Sequence, residues 1–208
     1  MEAFDVLGIS EEQYNAAEAV SMAPEYKPVP SGAYKATIKS METYLTDKKA
    51  KMLRITVHLE NENRDIEDYI NLVKSEEKNN EPNELGQKQF KGLMAALNMS
   101  PKELQAKNGK FKVYGKEVEG HELTGFAGKQ LIALVRQTYE EGSQYPDGNE
   151  IEGYLKIDGT DAKGENKLAE FKEKIERNPI KKKKARGGAQ AKKSTTTTSS
   201  GSNLDDLL

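Results

Sequence analysis

Met52-Leu53-Arg54-Ile55-Thr56-Val57-His58-Leu59-Glu60 alternates apolar and polar side chains without a break. In an extended chain successive side chains point to opposite faces, so Leu53, Ile55, Val57 and Leu59 fall on one side and Arg54, Thr56 and His58 on the other. That is the pattern of a half-buried strand. Upstream, Ala33 to Leu45 repeats it, with Tyr34, Ala36 and Ile38 opposite Lys35, Thr37 and Lys39, and Asp47-Lys48-Lys49-Ala50 supplies the turn. Downstream, Asn61-Glu62-Asn63 turns the chain into Arg64 to Val73, where Ile66, Ile70 and Leu72 keep period two. The three runs predict an antiparallel meander with one apolar face that more sheet or a helix must cover.

Lys74 to Asn83 is polar and reads as an exposed loop. Leu85 to Leu97 then reads as a helix, with Leu85, Gln89, Leu93 and Leu97 on one stripe and Phe90 and Met94 beside it. Ser100-Pro101-Lys102-Glu103 combines a capping serine, a first-turn proline and a box-closing glutamate, predicting a second short helix that ends at Asn108-Gly109. Strands are expected at 111–118, 130–139 and 151–157, and a last helix at 167–177 carries Leu168, Phe171 and Ile175 on one face. Asn178-Pro179 stops it. At the other end, residues 9–20 read as a short helix capped by Ser10, and prolines 24, 28 and 30 lead from it into the sheet.

The chain has 208 residues, 35% apolar and 32% charged, with a mean hydropathy of -0.83, so one modest core with a heavily solvated surface is expected. It has no cysteine, which excludes thiolate zinc sites, thiol catalysis and disulfides. No run approaches a membrane span and no basic-then-apolar leader opens the chain, so a soluble, unexported protein is expected. The net charge of -2 hides a division: eight Lys or Arg and no acid lie between Arg177 and Lys193, leaving residues 1–176 at -8. A basic tail on an acidic body attracts polyanions and stays open by self-repulsion. The expected organisation is an N-terminal helix and arm over 1–30, a folded domain over 31–177, and a disordered tail over 178–208 with an acidic, leucine-rich tip.

Catalysis finds little support. His58 and His121 lie in no metal-ligand cluster, and both read as surface residues, His121 in a Gly120-His121-Glu122 turn. Gly125-Phe126-Ala127-Gly128-Lys129 lacks the Ser or Thr of a phosphate loop and reads as a tight turn into the next strand. Asp158-Gly159-Thr160-Asp161 lacks the other ligands of a calcium loop. No cofactor, metal or enzymatic role is expected.

Binding of single-stranded nucleic acid needs cations near the backbone and flat side chains for the bases. Tyr44, Tyr69, Tyr114 and Tyr139 are the stacking candidates, and Tyr34, Phe111 and Phe126 fit a core equally well. The backbone candidates are Lys35, Lys39, Lys48, Lys49, Lys51, Arg54, Lys112, Lys116, Lys129 and Arg136, extended in the tail by Lys181, Lys182, Lys183, Lys184 and Arg186. No recognition helix or zinc finger is present, which favours sequence-tolerant binding. A mainly β chain with one inserted helical segment is compatible with an oligonucleotide-binding barrel and equally with an open sheet packed against helices.

The stretch Pro30-Ser31-Gly32-Ala33-Tyr34-Lys35-Ala36-Thr37-Ile38, continued by Lys51-Met52-Leu53-Arg54-Ile55-Thr56-Val57, resembles the opening strands of phage-encoded single-stranded DNA-binding proteins. The helical segment Leu85 to Leu97 and Gly128-Lys129-Gln130-Leu131 are similar to that group too, so the resemblance spans roughly residues 28 to 157. It implies an OB-fold-like antiparallel β-barrel with a helical insertion and a disordered C-terminal tail. It further implies non-catalytic protection of single strands in phage DNA replication, recombination or repair, in the cytoplasm of an infected bacterial host. Replication or recombination proteins would be met by the tip, Leu204, Asp205, Asp206, Leu207 and Leu208, which has two acidic side chains and no terminal aromatic. The competing expectations are a protein-interaction or scaffold module whose basic tail balances its acidic body, and an RNA-binding accessory protein.

Overall fold

The alternation of Lys51–Leu59 becomes a central strand, β2, whose Leu53, Ile55, Val57 and Leu59 are fully buried. This is a computed structural model, and it describes residues 27–143 and 147–183 with Ser10, Glu12 and Asn15. The expected helix at 9–20, apart from those three positions, and the tail from Lys184 onward lie outside the described residues. β1 (Gly32–Leu45) and β3 (Arg64–Val73) flank β2 in antiparallel register, Ile38 against Val57 and Val57 against Ile66. The meander therefore forms as the alternation predicts.

β1 is long enough to hold two partners along its other edge. Its first half pairs with β6 (Gln130–Glu140), Gly32 against Val135 through Thr37 against Gln130. Its last residues, Glu42 to Tyr44, pair with β5 (Lys116–Thr124), which pairs in turn with β4 (Gln105–Val113). A register shift between Ile38 and Ser40 marks the bend between the two halves. β7 (Asp147–Leu155) lies on the far edge of β6, and β8 (Ile180–Lys183) runs parallel to β6 beyond the start of β1.

The sheet does not close, so the expected β-barrel is replaced by an open eight-stranded sheet with helices packed on it. Among the described residues β3 pairs only with β2, and β7 only with β6. The free edge of β3 is occupied instead by the chain entering helix α1 (Glu84–Ala96). Val73 bridges Pro82, the Asn83 N–H donates to the Leu72 carbonyl at 3.0 Å, and the Asn83 side chain caps α1. Gly86 brings the first turn of α1 so close that a Cβ would stand 1.8 Å from the Asn71 carbonyl oxygen. α1 packs against β3 and β7, and the Tyr154 hydroxyl donates to Asp68 at 2.8 Å across the gap between those strands. Gly86 also decides which face α1 buries. Gly86, Leu93, Met94, Ala96 and Leu97 turn inward, while Leu85 and Gln89 of the expected stripe turn outward.

Three local expectations change in the middle of the chain. Ser100 and Glu103 form the full capping box, but it starts only a 3-10 turn, Pro101–Glu103. Lys102, Gln105 and Lys107 offer no apolar stripe to sustain a helix, and the chain turns extended at Leu104 into β4. The expected strand at 111–118 is a hairpin folded at Tyr114-Gly115, both in the left-handed region with φ of 49° and 78°. Consequently Asn108-Gly109 and Gly120-His121-Glu122, read as turns, are strand residues of β4 and β5. Gly125 to Lys129 does form the expected tight turn, with φ of 106° at Gly125 and 73° at Gly128.

The main core lies beneath β1, β2, β3 and β6 and is completed by Leu93, Met94, Leu97 and Phe126. A smaller cluster packs Phe171, Leu168 and Ile175 of α2 (Leu168–Arg177) on Leu134 and Leu155, as the spacing of those residues predicts. The chain then continues through Pro179 into β8, so residues 180–183, assigned by charge to the tail, extend the sheet.

Candidate nucleic-acid interface

The outward face of the meander carries a row of polar cross-strand pairs. Glu42 faces Arg54 and Arg54 faces Tyr69, while Thr56 faces Glu67 and His58 faces Asp65. The β4–β5 ribbon, fastened to the end of β1, reaches over one end of this row. Gly120 makes the approach possible, since a Cβ there would lie 2.0 Å from the Thr43 carbonyl oxygen and 2.8 Å from the Phe111 ring.

Phe111 meets Tyr44 edge-on, with centroids 6.1 Å apart and planes at 77°. The Arg54 guanidinium sits 5.6 Å from the Phe111 ring centre, donates through Nε to Glu42 at 3.2 Å, and donates through Nη1 to the Lys112 carbonyl at 2.5 Å. Glu67 lies 3.6 Å from the same nitrogen and accepts from the Tyr69 hydroxyl at 2.5 Å. Burial works against the charge on Arg54, but Glu42 and Glu67 outweigh it and hold the group protonated. Burial and Glu67 push the Tyr69 phenol far above its ordinary range, so it stays neutral.

At the ribbon tip Tyr114 lies flat on Tyr69, with centroids 5.3 Å apart and planes 19° from parallel. It remains 80% exposed, the largest exposure of any described large apolar side chain. A bulky residue in the left-handed region carries strain, so the turn gives up stability to present this ring. Lys116 reaches Asp47 at 3.8 Å, which sets the tip beside the Lys48-Lys49-Ala50-Lys51 turn. Among the described residues no ion pair engages Lys49, Lys51 or Lys112; Lys112 alternates with Phe111 along β4 and so falls on the other face of the ribbon. A groove of about 600 Å³ runs along the junction of β1 with the ribbon, lined in part by Lys51, Lys110, Asn108 and His121.

The fold thus gathers Tyr44, Tyr69, Tyr114 and Arg54 into one patch that the Lys112 backbone carbonyl touches, with Lys116 at the ribbon tip near the turn that holds Lys48 and Lys49, and with Lys51 lining the groove at the β1–ribbon junction. Tyr44 is 7% exposed, supports the patch from beneath and lines the groove at the ribbon junction. Arg54 is likewise inside its acidic cage. Lys35 and Lys39 lie toward the other half of β1, paired with Glu60 at 3.4 Å and Asp65 at 2.7 Å. Asp65 also meets His58 Nδ1 at 2.7 Å, and chiefly through Lys39 its carboxyl is held below the usual range. Lys129 sits in the turn before β6 and is half-buried. Tyr139, 38% exposed, faces Lys182 of β8. Arg136 is 1% exposed beneath the end of α2, out of reach of a phosphate in this arrangement. Lys184, Arg186 and the tip residues Leu204, Asp205, Asp206, Leu207 and Leu208 lie outside the described residues.

Glu42 and Glu67 complete the patch and were not singled out from the sequence as its parts, while Phe111, an aromatic that fitted a core equally well, joins it as a support. Glu42 and Glu67 share the outward parity of Arg54 and Tyr69, so strand register alone would have found them. Phe111 needed knowledge of the hairpin. Among the described residues no group of His, Asp or Glu is arranged to hold a metal ion, and no helix is long and apolar enough to cross a membrane. Comparison with protein-family models and with curated protein sequences returns no match.

Proposed function

We propose that the chain binds single-stranded DNA without catalysis and largely without regard to sequence, using the Tyr69–Tyr114 stack as its base platform. The observation that carries the reading is Tyr114, a strained, exposed ring presented on Tyr69 at the tip of a lysine-bearing ribbon. A flat ring accepts any unstacked base, whereas a duplex hides its bases from it. The -8 charge of residues 1–176 opposes a broad duplex surface, and a few lysines flanking one stack suit a narrow single strand. Arg54 contributes by fixing Phe111 and the ribbon rather than by touching phosphate.

Given the sequence resemblance, the setting proposed is protection of transient single strands in phage replication, recombination or repair within the host cytoplasm. The polybasic run from Lys181 extends backbone contact, and the tip at 203–208 recruits a replication or recombination protein. The test is binding of a fluorescent single-stranded oligonucleotide of about thirty bases against duplex and RNA competitors across a salt series. Preference for single-stranded DNA, weakening with salt, is expected. Tyr114→Ala should cost about 1 to 3 kcal/mol for the base it engages. Equal weak binding to every polyanion would overturn the reading in favour of tail electrostatics, and no binding would favour a protein-interaction module.

A further inference from the structure

β8 is a four-residue edge strand with little apolar anchorage, its Ile180 being 39% exposed. Its lysines hold it down: Lys181 reaches Glu150 of β7 at 2.5 Å, and Lys183 reaches the other oxygen of the same carboxylate at 3.2 Å. Burial alone would raise the Glu150 pKa, but these two cations outweigh it and keep the carboxylate ionised.

The direct cross-strand neighbour of Glu150 is Arg136 of β6. Side chains in such a pair stand about 5 Å apart at Cβ. Yet Arg136, 1% exposed, spends only Nη2, on the Asn178 carbonyl, while Nε and Nη1 have no partner. A buried guanidinium with two unused donors is costly, and the carboxylate best placed to relieve it is held by two lysines of a weakly attached strand. The hinge for release is present too. Ser31 Oγ donates to the Pro179 carbonyl at 2.5 Å while accepting from the Gln137 N–H at 2.8 Å, so the chain is pinned at Pro179, and beyond it only the short ladder to β6 and the two lysine contacts hold β8.

We infer that β8 is a detachable strand: single-stranded DNA phosphates take Lys181 and Lys183 from Glu150, and Glu150 turns to the unused donors of Arg136. This rests on the single-strand reading above. Each lysine exchanges one anion for another, Glu150 keeps a cationic partner, and Arg136 gains one. The released lysines join the basic run that follows them, so the DNA contact lengthens only once DNA has arrived. The exchange makes Arg136 a positioning residue for a ligand it never touches.

Hydrogen exchange of the Ile180–Lys183 amides in the full chain, with and without a saturating thirty-base oligonucleotide, tests this, with binding followed separately by anisotropy. DNA should speed exchange at these amides about tenfold or more while leaving β2 protected. Glu150→Gln should release β8 without DNA, giving fast exchange in the free protein. Arg136→Met should reduce the DNA-induced release and weaken binding several-fold, with no loss of fold stability. DNA bound with β8 still protected overturns the inference and leaves the single-strand reading standing, as does an Arg136→Met protein that binds and exchanges like the parent. Unchanged protection in free Glu150→Gln overturns the lock without reference to DNA. Absence of binding removes both readings.

Discussion

The meander β1–β3 and the ribbon β4–β5 are both antiparallel and physically opposite. β2 buries every second side chain completely, whereas the ribbon buries only Val113 among its eighteen strand residues. The meander gains its stability from one dry face. The ribbon has two wet faces and is held by its own ladder, three residue pairs with β1 and the Tyr44–Phe111–Arg54 contact. The Tyr114 platform therefore stands on a part of the molecule that contributes little to the core. Function placed there can carry strain or move without endangering the fold.

Damage to the two regions should cost the fold very differently. Leu53→Ala, at a fully buried position of β2, should cost about 2 to 5 kcal/mol in urea denaturation. Lys110→Ala in the ribbon should change stability by no more than about 0.5 kcal/mol. Similar costs for the two would mean that the ribbon belongs to the cooperative core. Gly120→Ala comes next in size, since its Cβ would strike the Thr43 backbone and force the ribbon away from β1. A loss of at least about tenfold in oligonucleotide affinity, roughly 1.4 kcal/mol, is expected with near-normal protection of β2 amides. Loss of β2 protection in that variant would merge the two regions into one unit.

The contrast also explains what was legible in the sequence. Period two requires one face to be dry, so β1, β2, β3 and the dense run of β6 declare themselves. The ribbon has no dry face, and its Asn108-Gly109 and Gly120-His121 pairs imitate turns while its true turn, Tyr114-Gly115, lies inside what reads as one strand. The open sheet was half visible. At the core-facing register position opposite Ile55, β3 places Asp68, breaking the repeat of Ile66 and Ile70 where the sheet fails to reach β7. No local pattern says that Pro82 and Asn83 will occupy that edge, because the contact depends on how closely Gly86 allows α1 to approach. Of the site, residue types were readable and grouping was not. Tyr44 and Tyr114 look alike in sequence, and only the fold makes one a support and the other an exposed ring.

Tyr114→Asn separates platform from scaffold within the ribbon. Asparagine tolerates the left-handed conformation that strains tyrosine, which offsets the lost contact with Tyr69, so net stability should change by no more than about 0.5 kcal/mol. Oligonucleotide affinity should nevertheless fall by about 1 to 3 kcal/mol. A variant that loses both equally would make the ring a structural pin for the hairpin.

The smallest expected effect divides β3 itself. Asp65, on the outward face, has its pKa lowered chiefly by Lys39, against the cost of burial and with further lowering by His58. Its contribution to stability is therefore present above the unfolded-state value and lost as pH falls through the lower, folded-state value. Asp68, on the inward face, has its pKa raised by burial, only partly offset by the Tyr154 hydroxyl and the Tyr69 N–H. Its contribution is full below the unfolded-state value and is lost as pH rises through the higher, folded-state one. Asp65→Asn should cost no more than about 1 kcal/mol at neutral pH, a deficit that closes as pH falls below about 4. Asp68→Asn keeps an acceptor for Tyr154 and sheds the buried charge, so it should match or exceed the parent at neutral pH and lose that advantage in acid. Denaturation midpoints of the two variants across that range should approach the parent from opposite sides. Curves that approach from the same side would mean that Asp68 is as well solvated as Asp65, and that the inward face of β3 is not dry where the sheet opens.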